Sequence, residues 1–236
     1  MALGLSHGGT TIYTTPSRSN EVWVATAQGL VAIERDTSDV GWHIGRRMLT
    51  DKHISAIVTE PESGLTFVGA FHGSLQVTGD GGRTWETRDV GLTEHDVYSL
   101  ACVQVDGRAR LYLGTEPAHI FYSDDLGMHW NELPGLRSVP SVSKWKFPVP
   151  PHIAHTKHIS FDPSDAKTVY ACIEVGGLLR SMDGGETWKE LDGVYEDVHR
   201  LGIHPQDPHR LYVVTGHGLY VSRDRGGTFE QWVARP

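Results

Sequence analysis

One short turn motif occurs four times in this chain: Thr78-x-Asp80-x-Gly82-x-Thr84-Trp85, Ser123-x-Asp125-x-Gly127-x-His129-Trp130, Ser181-x-Asp183-x-Gly185-x-Thr187-Trp188 and Ser222-x-Asp224-x-Gly226-x-Thr228-Phe229. The aspartates stand 45, 58 and 41 residues apart, so one supersecondary unit is copied along the chain. A unit of four short strands cannot bury its own faces, and stacked copies must supply the core. Within a copy, a hydroxyl and a short carboxylate can bond the N–H groups of a tight turn. Glycine supplies the positive φ, and the closing Trp or Phe fills space between units.

The motif resembles the Asp-box, or BNR repeat, of bacterial sialidases, sortilin-type receptors, xyloglucan-cleaving glycosidases and photosystem II assembly factors, a group akin to WD40- and YVTN-type repeat proteins. The resemblance implies a β-propeller in which each box joins the third and fourth strands of a blade. It implies little about activity, because the family holds enzymes, receptors and scaffolds alike.

Each box follows an apolar strand, a loop that is often rich in Pro and Asp, a second strand, a Gly-containing turn and a third strand, as in Ile159–Pro163, Thr168–Ala171 and Gly176–Ser181. The same template fits the first 50 residues without a box, with Ile12 at the Ile159 position and Pro16 at the Pro163 position. The first-strand anchors are then Ile12, Ile57, Leu100, Ile159 and Leu201. The expected fold is all-β: a single five-bladed propeller of four-stranded antiparallel blades over about residues 7–48, 49–91, 92–134, 155–192 and 193–236. With each blade carrying its own inner and outer strand, ring closure is expected from face-to-face packing alone, unless Met1–Ser6 adds an edge strand.

A net charge of −8 argues against a phosphate-binding surface, so no nucleic-acid partner is expected. The N-terminus has neither a basic start nor an apolar stretch suited to export, and no apolar run approaches the ~20 residues that span a bilayer. The expectation is a cytoplasmic protein without a membrane partner, its oligomeric state open. Cys102 and Cys172 lie in apolar strands of different repeats and read as buried free thiols.

Strand alternation places the starts of the first strands and the turns between strands two and three at one end of the ring, opposite the boxes. Four residues before the anchors stand Gly8, His53, Asp96, His155 and Asp197; two before stand Thr10, Ser55, Tyr98, Lys157 and His199. The turns add Gln28, His72, Glu116, His119, Glu174 and His217. Seven of the fourteen histidines therefore fall at this rim, namely His53, His72, His95, His119, His155, His199 and His217.

Imidazoles and carboxylates converging on a narrow channel suit a divalent transition metal such as Zn, Mn, Fe, Co, Ni or Cu. The expected ligands are His53, His155, His199 and His217 with Asp96 and Asp197; Glu116, Glu174 and Tyr98 are the catalytic candidates. Such residues also serve simply to bond the backbone of a neighbouring blade. No HExxH or CxxC motif is present, so the metal expectation rests on convergence alone.

Residues 134–154 form an insertion that crosses this end. Trp145, Phe147 and its prolines suggest an ordered lid that either joins a substrate site or caps the apolar end of the ring. The run from Trp145 to about residue 190 is similar to bacterial BNR-repeat proteins labelled sialidase-like or glycosyl-hydrolase-like. That resemblance implies that the lid and the Lys157/Glu174 pair share one site. The family's sialidases clamp their substrate with three arginines; here the strand starts offer only Arg200 and Lys157, against sialidase activity.

The resulting expectation is a small-molecule site in the channel, a metal-assisted hydrolase or lyase with Lys157, Arg200, Trp145 and Phe147 binding substrate. The competing readings are a non-catalytic interaction or assembly-factor propeller, and a metal-free glycoside hydrolase using two carboxylates.

Overall fold

The computed structural model describes residues 20–36 and 41–234. It is a five-bladed β-propeller with antiparallel sheets and no α-helix among these residues. The first sheet holds β1 (Glu21–Thr26), β2 (Gly29–Glu34) and β3 (His43–Met48). The second holds β4 (His53–Thr59), β5 (Thr66–Phe71), β6 (Ser74–Thr78) and β7 (Glu86–Thr87). The third holds β8 (Asp96–Val105), β9 (Arg108–Glu116), β10 (Ile120–Ser123) and β11 (Asn131–Glu132). The fourth holds β12 (Thr156–Asp162), β13 (Asp165–Ile173), β14 (Gly177–Ser181) and β15 (Lys189–Leu191). The fifth holds β16 (Val198–Ile203), β17 (Leu211–Thr215), β18 (Gly218–Ser222) and β19 (Glu230–Ala234).

Strand order inside each sheet follows the chain. The expected anchors Ile57, Leu100, Ile159 and Leu201 all sit on the first strands β4, β8, β12 and β16. Ile12, Pro16 and the edge strand considered for Met1–Ser6 lie outside the described residues.

The core lies between blades, as the repeat logic requires. Phe67, Leu75, Val97, Leu100, Leu113, Phe121 and Trp130 join blades two and three. Tyr170, Cys172, Val198, Leu201, Leu211 and Val213 join blades four and five. Burial of a large apolar side chain is worth about 1.5–3 kcal/mol, so these seams carry most of the favourable free energy. The insertion between blades three and four forms two short 3-10 turns, Pro134–Ser138 and Pro140–Lys144, and sinks Leu136 and Val139 into the seam beside Ala118, Ile120 and Ile173. It is therefore half core and half roof.

The four boxes adopt one geometry. In the first, Thr78 Oγ1 donates to Asp80 Oδ1 at 2.8 Å and accepts from Gly82 N at 2.9 Å, while Thr84 N and Oγ1 donate to the two Asp80 oxygens at 3.0 and 2.7 Å. The third and fourth boxes repeat the pattern, and in the second His129 replaces the threonine and bonds Asp125 through Nδ1 at 2.8 Å. Gly82, Gly127, Gly185 and Gly226 all have φ between 80° and 101°, where a side chain would be strained. Cys102 and Cys172 are free thiols; burial pushes both well up, Cys102 to about 12.

Candidate functional site

A second repeated device shapes the opposite end. In each described first strand the register slips by one residue, between Ile54 and Ala56, Val97 and Ser99, Thr156 and His158, and Val198 and Arg200. The extra residue is Ser55, Tyr98, Lys157 or His199, the same set found two positions before the anchors. A bulge leaves its residue out of the ladder and re-aims the side chain. Here it turns toward the adjoining blade or turn: Ser55 Oγ donates to Val97 O at 2.5 Å, and Tyr98 stacks on His155 with ring centroids 3.8 Å apart.

Around these bulges the structure gathers a compact ionic cluster. His155 is fully buried; its Nε2 touches Glu174 Oε2, and Glu116 Oε2 lies 3.2 Å from its Nδ1 without the alignment of a hydrogen bond. Lys157, also buried, places Nζ 2.5 Å from Glu174 Oε2. His199 Nε2 lies 3.5 Å from Glu174 Oε1 and 3.0 Å from Asp197 Oδ1. Burial pushes the Glu174 carboxyl up, yet the His155 hydrogen bond and the Lys157 charge outweigh it and hold the group at about 2. Burial, aided by the Glu116 and Glu174 charges, pushes the Tyr98 phenol far up, so it stays protonated.

An aromatic row backs the cluster: His53 meets Phe71 at 5.9 Å, Phe71 meets Tyr98 at 5.6 Å edge-on, and Phe147 of the lid meets His155 at 5.3 Å. Trp145 Nε1 donates to Ser141 Oγ at 2.8 Å, and Arg137 sits over the Trp145 ring. A Cβ on Gly176 would stand 3.1 Å from Trp145, so the turn before β14 and the lid are fitted to each other.

Of the residues expected at one site, His155, His199, Asp197, Glu174, Glu116, Lys157, Tyr98 and Phe147 do come together. The others do not. His53 is spent on Phe71, and Asp96 accepts from His72 N and pairs with its Nδ1 at 2.9 Å. His217 stacks on Tyr195 at 3.9 Å. Arg200 lines the channel wall deeper in, beside His158, whose ring burial and the Arg200 charge hold down at about 3. Phe71 and Tyr195, the ring partners that divert these histidines, carry no signal in the repeat; only the folded contacts expose them.

Glu174 is thus paired with both His155 and Lys157, and Tyr98 is held in its neutral phenol form. The family described as photosynthesis system II assembly factor YCF48 matches residues 36–144. The photosystem II assembly lipoprotein Ycf48 of Synechococcus sp. (strain CC9902) is 24% identical over 146 residues, 60% of this chain. This chain spans 38% of that relative's length.

Among solved structures, the GH74 enzyme of Niastella koreensis overlaps 91% of this chain and 36% of its own, with a TM-score of 0.63 at 14% identity. The GH74 xyloglucanase of Xanthomonas campestris overlaps 89% and 36%, with a TM-score of 0.61 at 19% identity. At such identities the likeness shows the fold alone. The expectation of a metal-assisted hydrolase or lyase is therefore corrected, because the matched family and curated relative are assembly factors. The small-molecule substrate expected as partner falls with it, and the cytoplasmic expectation does not survive a curated relative that is a lipoprotein. Boxes, blades and relatives agree on one architecture: a five-bladed β-propeller of BNR-type repeats, similar over residues 36–144 to the YCF48 assembly-factor family.

Proposed function

We propose that this chain is a non-catalytic interaction propeller of the assembly-factor type, holding a segment of a partner protein at the rim roofed by residues 134–154. The observation that carries the reading is the mutual neutralisation of the cluster: Glu174 is engaged by His155, Lys157 and His199 at once, which makes a rigid platform and a poor acid or base. The assembly-factor match over residues 36–144 supports it from an independent direction. Half-buried Trp145 and Phe147 offer the aromatic anchors that a peptide segment needs.

The test is selection of binding peptides from a displayed random library by the purified full chain, then calorimetry on the best peptide. Phe147→Ala and Trp145→Ala are expected to weaken binding by about tenfold or more, since aromatic anchors dominate such interfaces. Peptides bound equally by both variants would move the interface elsewhere. Turnover in a hydrolase and lyase panel that disappears in Glu174→Gln would overturn the reading altogether.

A further inference from the structure

We propose that Glu174, Asp197 and His199 form a site for one divalent transition ion of the zinc type, set across the seam between blades four and five. The inference does not depend on a protein segment docking at the rim. The turn after β13 supplies Glu174, the entry to β16 supplies Asp197, and the bulge inside β16 supplies His199.

The donor spacing fits an ion, which would replace the hydrogen bond that His199 and Asp197 share at 3.0 Å. With metal–ligand bonds of about 2.0–2.2 Å, tetrahedral donors stand about 3.4 Å apart. His199 Nε2 lies 3.0 Å from Asp197 Oδ1 and 3.5 Å from Glu174 Oε1, and the three donor atoms lie within 4.8 Å of one another. One neutral imidazole and two carboxylates are a donor set that zinc accepts, and their charge matches a dication.

The surroundings orient the donors. The two oxygens of Glu174 divide their work: Oε2 takes the buried His155 and Lys157, which leaves Oε1 facing His199. That is the arrangement by which outer groups hold a ligating carboxylate. Asp197 packs on Gly216, where a Cβ would stand 2.3 Å from its Oδ2. His199 and Asp197 are partly exposed, with side-chain accessibilities of 32% and 27%, so the fourth position opens to water or to a donor of a partner. The adjacent Lys157 charge makes this a weaker site than a closed structural one.

Chelator-treated full-length chain titrated with zinc by calorimetry, and with cobalt(II) by visible absorption, tests the assignment. One ion per chain is expected, with an intense tetrahedral cobalt band. Affinity should fall by about tenfold or more in His199→Ala and in the near-isosteric Asp197→Asn. His53→Ala and His217→Ala should retain the ion. Circular dichroism checks that each variant folds. Three outcomes overturn the proposal: no stoichiometric ion, an ion lost with His53 or His217 instead, or a rim that takes lysine- and arginine-containing peptides while ignoring zinc and cobalt.

Discussion

The two ends of the propeller solve the problem of polar groups in opposite ways. At the box end, Ser181 Oγ donates to Asp183 Oδ1 at 2.7 Å and accepts from Gly185 N at 2.8 Å, all within five residues of chain. At the rim, Glu174 is answered by His155, Lys157 and His199, residues 19, 17 and 25 positions away on two different blades. The box is a local unit that repeats because each copy carries its own partners. The rim is singular because Glu174, met by His155 and Lys157 across its own β12–β13 hairpin, gains His199 only when blade five stacks on blade four, and a lost partner there leaves a buried charge rather than an exposed turn.

The largest expected effect breaks the rim. Glu174→Gln removes the countercharge of buried Lys157 and His155 and should cost on the order of 3–5 kcal/mol, read from denaturant midpoints. A loss below about 1 kcal/mol would mean that Glu116 and Asp197 already suffice, and the contrast between the two ends would collapse.

Acid titration sharpens the same contrast. The Glu174 carboxyl is depressed from 4.5 to about 2, so its contribution is complete above pH 4.5 and is lost as pH falls toward about 2. It amounts to roughly 3 kcal/mol at one pKa unit per 1.36 kcal/mol. Stability measured across that window should fall less steeply in Glu174→Gln than in the unaltered chain; equal slopes would assign acid sensitivity to the boxes, where hydrogen bonds from Ser181 and Thr187 overcome burial and hold Asp183 at about 2 as well.

The smallest effect belongs to a single box. Ser181→Ala deletes the bonds to Gly185 N and Asp183 and should cost about 1–2 kcal/mol, with the other three boxes intact. Thermal unfolding would show it as a modest shift. A cost equal to that of Glu174→Gln would show that the turns, not the seams, hold the blades in register.

Legibility followed the same divide. The boxes were readable because Thr78, Asp80, Gly82 and Thr84 satisfy one another inside one turn. The anchors Ile57, Leu100, Ile159 and Leu201 were readable because strand period and spacing fix them. The alignment also singled out Ser55, Tyr98, Lys157 and His199 by position, but gave no sign that a bulge sets each of them apart. His53 and His217 stood in equivalent places and went elsewhere, captured by Phe71 and Tyr195. Both captors belong to the histidine's own blade, Phe71 directly opposite His53 in the β4–β5 ladder, so the diversion is local to each copy and is not set by the repeat pattern.

By itself the sequence determined the repeat, its turn chemistry, the all-β architecture and the end of the ring where titratable groups gather, because periodicity and local hydrogen bonding act over a few residues. Tertiary structure alone decided which of those groups meet, that Glu174 is shared between His155, Lys157 and His199, and that Tyr98 lies protonated against His155. Burial and the contacts between blades depend on atoms brought together from separate sheets, and no spacing within one repeat can specify them.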